Sequence, residues 1–152
     1  MKILVFSERE VPHYKPVEPY IHISISSPNS ALLYVPANKY RKMTLYCQFH
    51  DLDHNPNPTG KGIILGAGKP YRLFNEKDAQ SIWYWVKRYI KDINVIIVNC
   101  EAGISRSAGV AAALSKVLND VDDYYFKKYL PNMLVYRKLL EEYYTNESMY
   151  KM

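Results

Sequence analysis

The chain has 152 residues, 48% of them apolar and 23% charged, with a formal net charge of +5. That is the length and composition of one globular domain, residues 1–152, able to bury a core without covalent staples, and not of a disordered chain. The charge favours anionic partners in a general way, but KYRK (residues 39–42) is its densest basic cluster and reads as a solvated strand edge, so a nucleic-acid track is not favoured.

The opening MKILVF is too short for a signal segment and reads as a first strand. Further strands are predicted at residues 20–26, 32–34, 43–49 and 94–98. The run IHISIS alternates apolar and polar residues; VIIV does not, and reads as a central strand buried on both faces. Residues 50–72 carry prolines, glycines and asparagines and read mostly as loop, with a brief strand at 63–65; a loop this long is often functional. Asn75 can cap the helix that follows, with Asp78 in its acidic first turn. Ile82, Trp85, Val86, Tyr89 and Ile90 recur at helical spacing as its buried face, and Trp83 and Trp85 read as packing groups. Helices are then predicted at 107–118, 122–129 and 133–143, the last two separated by Pro131-Asn132.

Two cysteines, Cys47 and Cys100, are too few for a secreted disulfide framework and suit a reducing compartment. No apolar run approaches membrane-spanning length, so the expectation is a cytoplasmic chain with no membrane partner. Cys47 reads as a core residue. Cys100 is different, because it ends the VIIV strand and opens the turn CEAGISRS.

Five residues, Glu101, Ala102, Gly103, Ile104 and Ser105, lie between Cys100 and Arg106. They suffice to curl the chain so that successive N–H groups point inward, a nest for a tetrahedral oxyanion, with the next helix adding its N-terminal partial charge. Gly103 supplies a backbone angle that side chains resist. Arg106 closes the ring with a planar fork for two oxygens. A cysteine on the floor of such a ring is stabilised as thiolate and aligned to attack phosphorus, forming a cysteinyl-phosphate and expelling the ester oxygen. Ser107 can hydrogen-bond the sulfur and help it leave, or serve as a helix cap; Ser105 braces the loop. Glu101 points its side chain away from the phosphate.

CEAGISRSAGVAAAL resembles the signature loop of the cysteine-based protein tyrosine and dual-specificity phosphatases, closest to the compact single-domain type. The likeness extends to Phe49-His50-Asp51, to the helix before the catalytic strand and to PNMLVYRKLL. It implies Cys100 as nucleophile, Arg106 as the loop arginine and Ser107 as the hydroxyl residue after it. The family usually has histidine before the cysteine; this chain has Asn99, which can still hydrogen-bond the loop.

The leaving oxygen needs a proton, and the attacking water must then lose one; one carboxyl group can do both. Asp51 is favoured by the Phe-x-Asp pattern and Asp53 is the alternative, with residues 55–72 as an insertion that leaves the strand end in place. Asp78 reads as a helix residue. HDLDH (residues 50–54) offers ligand-type side chains, but there is no second cluster and a cysteine mechanism needs no metal or other cofactor. GAGKP (residues 66–70) fails as a nucleotide loop on spacing.

The expectation is therefore an α/β domain with a central mixed sheet of four or five strands and helices on both faces, acting as a phosphomonoester hydrolase on phosphorylated protein or peptide. The alternatives are an RNA 5′-phosphatase or other non-protein phosphatase, a sulfur-transfer enzyme, and a phosphate-binding module without turnover.

Overall fold

A computed structural model of the protein describes residues 1–53 and 71–152. The predicted strand at 63–65, the GAGKP run and His54 lie outside the described residues.

Four strands form one sheet: β1 (Lys2–Ser7), β2 (Tyr20–Ser26), β3 (Arg41–Gln48) and β4 (Val95–Cys100), in the order β1-β4-β2-β3. All three neighbouring pairs are parallel, which corrects the expected mixed sheet. The cause lies in the connections. No tight hairpin joins neighbouring strands; each is reached by a crossover that returns the chain to the same end of the sheet, and crossovers produce parallel pairs. Residues 32–34, predicted as a strand, are not strand.

The two inner strands, β4 and β2, are buried along their whole length, as parallel strands covered on both faces must be. For VIIV the sequence announces this. For IHISIS it does not: the polar half of the alternation, His22, Ser24 and Ser26, is buried too.

The helices are α1 (Glu76–Tyr89), α2 (Arg106–Asn119), α3 (Asp123–Lys128), α4 (Met133–Thr145) and α5 (Glu147–Tyr150). Asn75 caps α1 as predicted, in a reciprocal box with Asp78, and Asp78 also takes a two-point ion pair from Arg72 at 2.8 and 3.0 Å. The packed face of α1 contains Ala79, Ile82, Trp83 and Val86; Trp83 rather than Trp85 is the fully buried tryptophan, its Nε1–H donating to Leu139 O of α4 at 2.8 Å. Buried from Arg106 to Ser115, α2 is alanine-rich enough to lie close to the sheet and to α4.

These helices share one face. Ile21, Ile23, Ile25, Ile96 and Val98 of the sheet form a single core with the apolar residues of α1, α2 and α4. On the opposite face Tyr20, Val95 and Ile97 are covered by Leu4, Phe6, Tyr14 and Tyr40. Helices on both faces were expected; among the described residues the second face carries only the short 3-10 helix Val11–His13 and is otherwise closed by the connections before β2 and β3, whose Tyr14 and Tyr40 supply cover.

Candidate functional site

Parallel strands end together, and all four deliver a group to the turn after β4. From the end of β1, the backbone of Phe6 and Ser7 presses against Gly103, whose φ is +69°. A Cβ there would stand 2.5 Å from Ser7 N, so only glycine fits both the angle and the space. From just beyond β2 and β3 come Ser27 and Phe49. Arg106 Nη1 donates to Ser27 Oγ at 3.1 Å and to Phe49 O at 2.9 Å. The end of β4 is Cys100 itself.

Cys100 is 2% exposed, and its Sγ lies 3.0 Å from Ser107 Oγ at the start of α2. Both cysteines are free thiols. Cys47 is a core residue: burial, then the nearby Asp78 charge, pushes its thiol up to about 12, which leaves it protonated and inert.

Arg106 is 6% exposed, and its Nε is buried without a partner. Among the described residues no carboxylate is paired with it. A guanidinium taken out of water costs several kcal/mol unless something negative faces it.

Asp51 sits exposed beside the turn. Its Oδ1 accepts from Ser105 Oγ at 2.8 Å and from Asn132 Nδ2 at 2.9 Å. Asn132 is the residue that sequence reasoning misses. It caps α4 through Val135 N at 3.1 Å, donates from Nδ2 also to Leu52 O at 3.0 Å, and donates its backbone N–H to Ser105 O at 2.9 Å. In the sequence, Pro131-Asn132 reads as the break between two helices and opens the run PNMLVYRKLL, with no role assigned to Asn132. Asp53 is exposed on the rim of a cleft of about 500 Å³ lined also by Asp51, Ser105, Phe126 and Leu130. Asp78 lies in the first turn of α1.

Within the turn, Glu101, Ala102 and Ile104 are exposed, and the carbonyls of Glu101, Ile104 and Ser105 accept from Glu8, Leu130 and both Gly109 and Asn132. Before the turn, Asn99 Oδ1 is 2.7 Å from His22 Nε2, and both residues are fully buried. His50 is engaged with Arg72, accepting its N–H at Nδ1 and donating its own N–H to Arg72 O. Among the described residues no three His, Cys, Asp or Glu side chains are grouped to hold a metal.

No protein-family model matches the sequence, and no curated protein matches it. Solved structures do. A human tyrosine phosphatase-like serine/threonine/tyrosine-interacting protein superposes with a TM-score of 0.64 at 14% identity, over 97% of this chain and 93% of that one. Human DUSP28 gives a TM-score of 0.60 at 12% identity, over 97% and 94% of the two chains. The chain shares its fold with these two proteins. At such identities the likeness extends to the fold and no further. Among the described residues no helix is long and apolar enough to cross a membrane.

Proposed function

We propose that the chain is a phosphomonoester hydrolase in which Cys100 is the nucleophile. The observation that carries this reading is Arg106: a buried cation without a carboxylate partner among the described residues, one edge tied to Ser27 and Phe49 and Nε unspent, at the mouth of a turn that begins with a buried thiol. A bound phosphoryl group supplies the missing acceptor. The outward-bonded carbonyls of Glu101, Ile104 and Ser105 favour the same assignment, because a trans peptide that turns its oxygen out turns its N–H the other way.

The Cys100 thiolate attacks phosphorus, the P–S bond forms and the ester P–O bond breaks. Asp51 gives its proton to the departing oxygen, then takes one from the water that cleaves the P–S bond. Ser107 donates to the sulfur as it leaves. Arg106 and the turn N–H groups hold the equatorial oxygens through both transfers. Asp51 is preferred to Asp53 because two donors hold it against the turn.

Phosphorylated protein or peptide is the favoured substrate. Among the described residues the neighbouring cleft is lined by Phe126, Tyr129, Leu130 and Met133 and by no lysine or arginine, which favours a polypeptide over the polyanionic chain of an RNA.

Hydrolysis of para-nitrophenyl phosphate by the wild type, under reducing conditions with chelator present, should vanish in Cys100→Ser while vanadate binding survives. Residual turnover in the serine variant would remove Cys100 from the mechanism. Absence of turnover in the wild type between pH 5 and 8, with vanadate still bound, would leave a phosphate-binding module.

A further inference from the structure

Two side-chain atoms are buried without a hydrogen-bond partner among the described residues: Arg106 Nε and Asn99 Nδ2. Both are N–H donors, and in the chain they bracket Cys100. Each such orphan costs about 1–3 kcal/mol. The unspent donor of Arg106 is accounted for by a bound phosphoryl group. That of Asn99 is not, and neither is the imidazole that holds its other end.

His22 stands on β2 in a layer otherwise built from Tyr20, Val95, Ile97, Phe6 and Tyr14. Burial drives its imidazole down to about 4, so it is neutral and carries one ring proton. An apolar pair in place of His22 and Asn99 would pack this layer with no polar group to satisfy, so stability alone does not explain the pair. Its position does. β2 and β4 run side by side with Ser24 opposite Asn99, and Asn99 is the last residue before the thiol.

We infer that His22 is a positioning residue for Cys100, acting through the side chain of Asn99. This rests on the reading of Cys100 as nucleophile. The ring proton on Nε2 commits Asn99 Oδ1 as the acceptor, at 2.7 Å, and so commits Nδ2 as a donor immediately before the turn. Holding that amide from a neighbouring strand fixes the peptide that presents Cys100. Strand β2 thus serves the turn twice, through His22 on one side of the thiol and, just past its end, through Ser27 on Arg106.

The test uses the full chain, with alkylation of Cys100 by iodoacetamide at pH 6.5 followed by peptide mapping. His22→Gln keeps a donor where Nε2 stood; His22→Phe fills the space without one. The Gln variant should react within about twofold of wild type, and the Phe variant about tenfold more slowly. Turnover of para-nitrophenyl phosphate should fall in parallel, in kcat rather than KM. Folded Phe protein reacting at the wild-type rate, or folded Gln protein slowed as much as Phe, would reduce His22 to a core histidine. Nitrogen-15 spectra of the wild type supply a measurement without mutation. A neutral Nε2–H ring at pH 6 to 7 is expected, and an Nδ1–H or charged ring would overturn the assignment. Alkylation needs no turnover, so a chain that hydrolyses nothing would defeat the hydrolase reading and still decide His22.

Discussion

Asp51 and Arg106 are held in opposite ways. The carboxylate is exposed, and both of its bonds fall on one oxygen, Oδ1; the guanidinium is buried and tied by one nitrogen. An acid at the surface of the site matters in proportion to how badly the leaving group needs a proton. Asp51→Ala should therefore slow hydrolysis of an alkyl phosphate by about 10²–10⁴ and that of para-nitrophenyl phosphate much less. Equal losses on the two esters would make Asp51 a brace for Ser105 and Asn132. At this scale the sequence was legible where chemistry is local. Cys100 and Ser107 fall within one short run, and their contact follows from that spacing. Ser27, His22 and Asn132 reach their partners across 79, 77 and 81 residues, and nothing in a serine, histidine or asparagine at those positions marks the distant contact.

At the scale of elements, the contact between α2 and α4 carries the most consequence for the site. Gly109 of α2 lies against the residue that caps α4: an added Cβ would meet Asn132 O at 2.7 Å and Val135 Cβ at 3.1 Å. A backbone carbonyl does not step aside cheaply. Gly109→Ala should cost about 1–3 kcal/mol in urea unfolding despite alanine's better helix propensity. It should also lower activity, since Asn132 holds both Asp51 and the carbonyl of Ser105. An unchanged midpoint would show that α4 can shift without resistance. Helix positions were legible because their caps and periodicity are written locally, as at Asn75 and Asp78. Two features were not. Periodicity could not separate Trp83 from Trp85, which are both plausible on an amphipathic face until α4 is placed. Nor could the alternation of IHISIS reveal that its polar face would be covered, because the covering residues, Tyr14 and Tyr40, lie in stretches without periodic pattern.

For the whole molecule, His22 also sets a dependence of stability on pH. Its folded value is about 4 against an ordinary 6.5, lowered first by burial and further by Arg41, with the bond to Asn99 opposing. An unfolded chain therefore takes up this proton at higher pH than the folded one. The contribution is complete above about pH 6.5 and is lost as pH falls toward 4, amounting to about 3 kcal/mol over that window. Urea unfolding of wild type and His22→Gln at pH 7 and pH 4.5 measures it: the wild type should lose more stability than the variant by roughly 2–3 kcal/mol. Identical losses would place a proton acceptor other than His22 behind acid unfolding.

The convergence of four strand ends on one turn has a consequence for misfolding. A strand displaced by a single residue turns every side chain to the wrong face. Here it would also withdraw the contact that strand makes with the turn: Ser7 from Gly103, Ser27 or Phe49 from Arg106, or Cys100 from Ser107. If the chain is the hydrolase proposed above, catalysis acts as a parity check on the sheet. On the proposed hydrolase reading, a molecule with three strands aligned and one slipped would be compact, helical and inert, and the active fraction of a preparation would count the chains in which all four alignments are right.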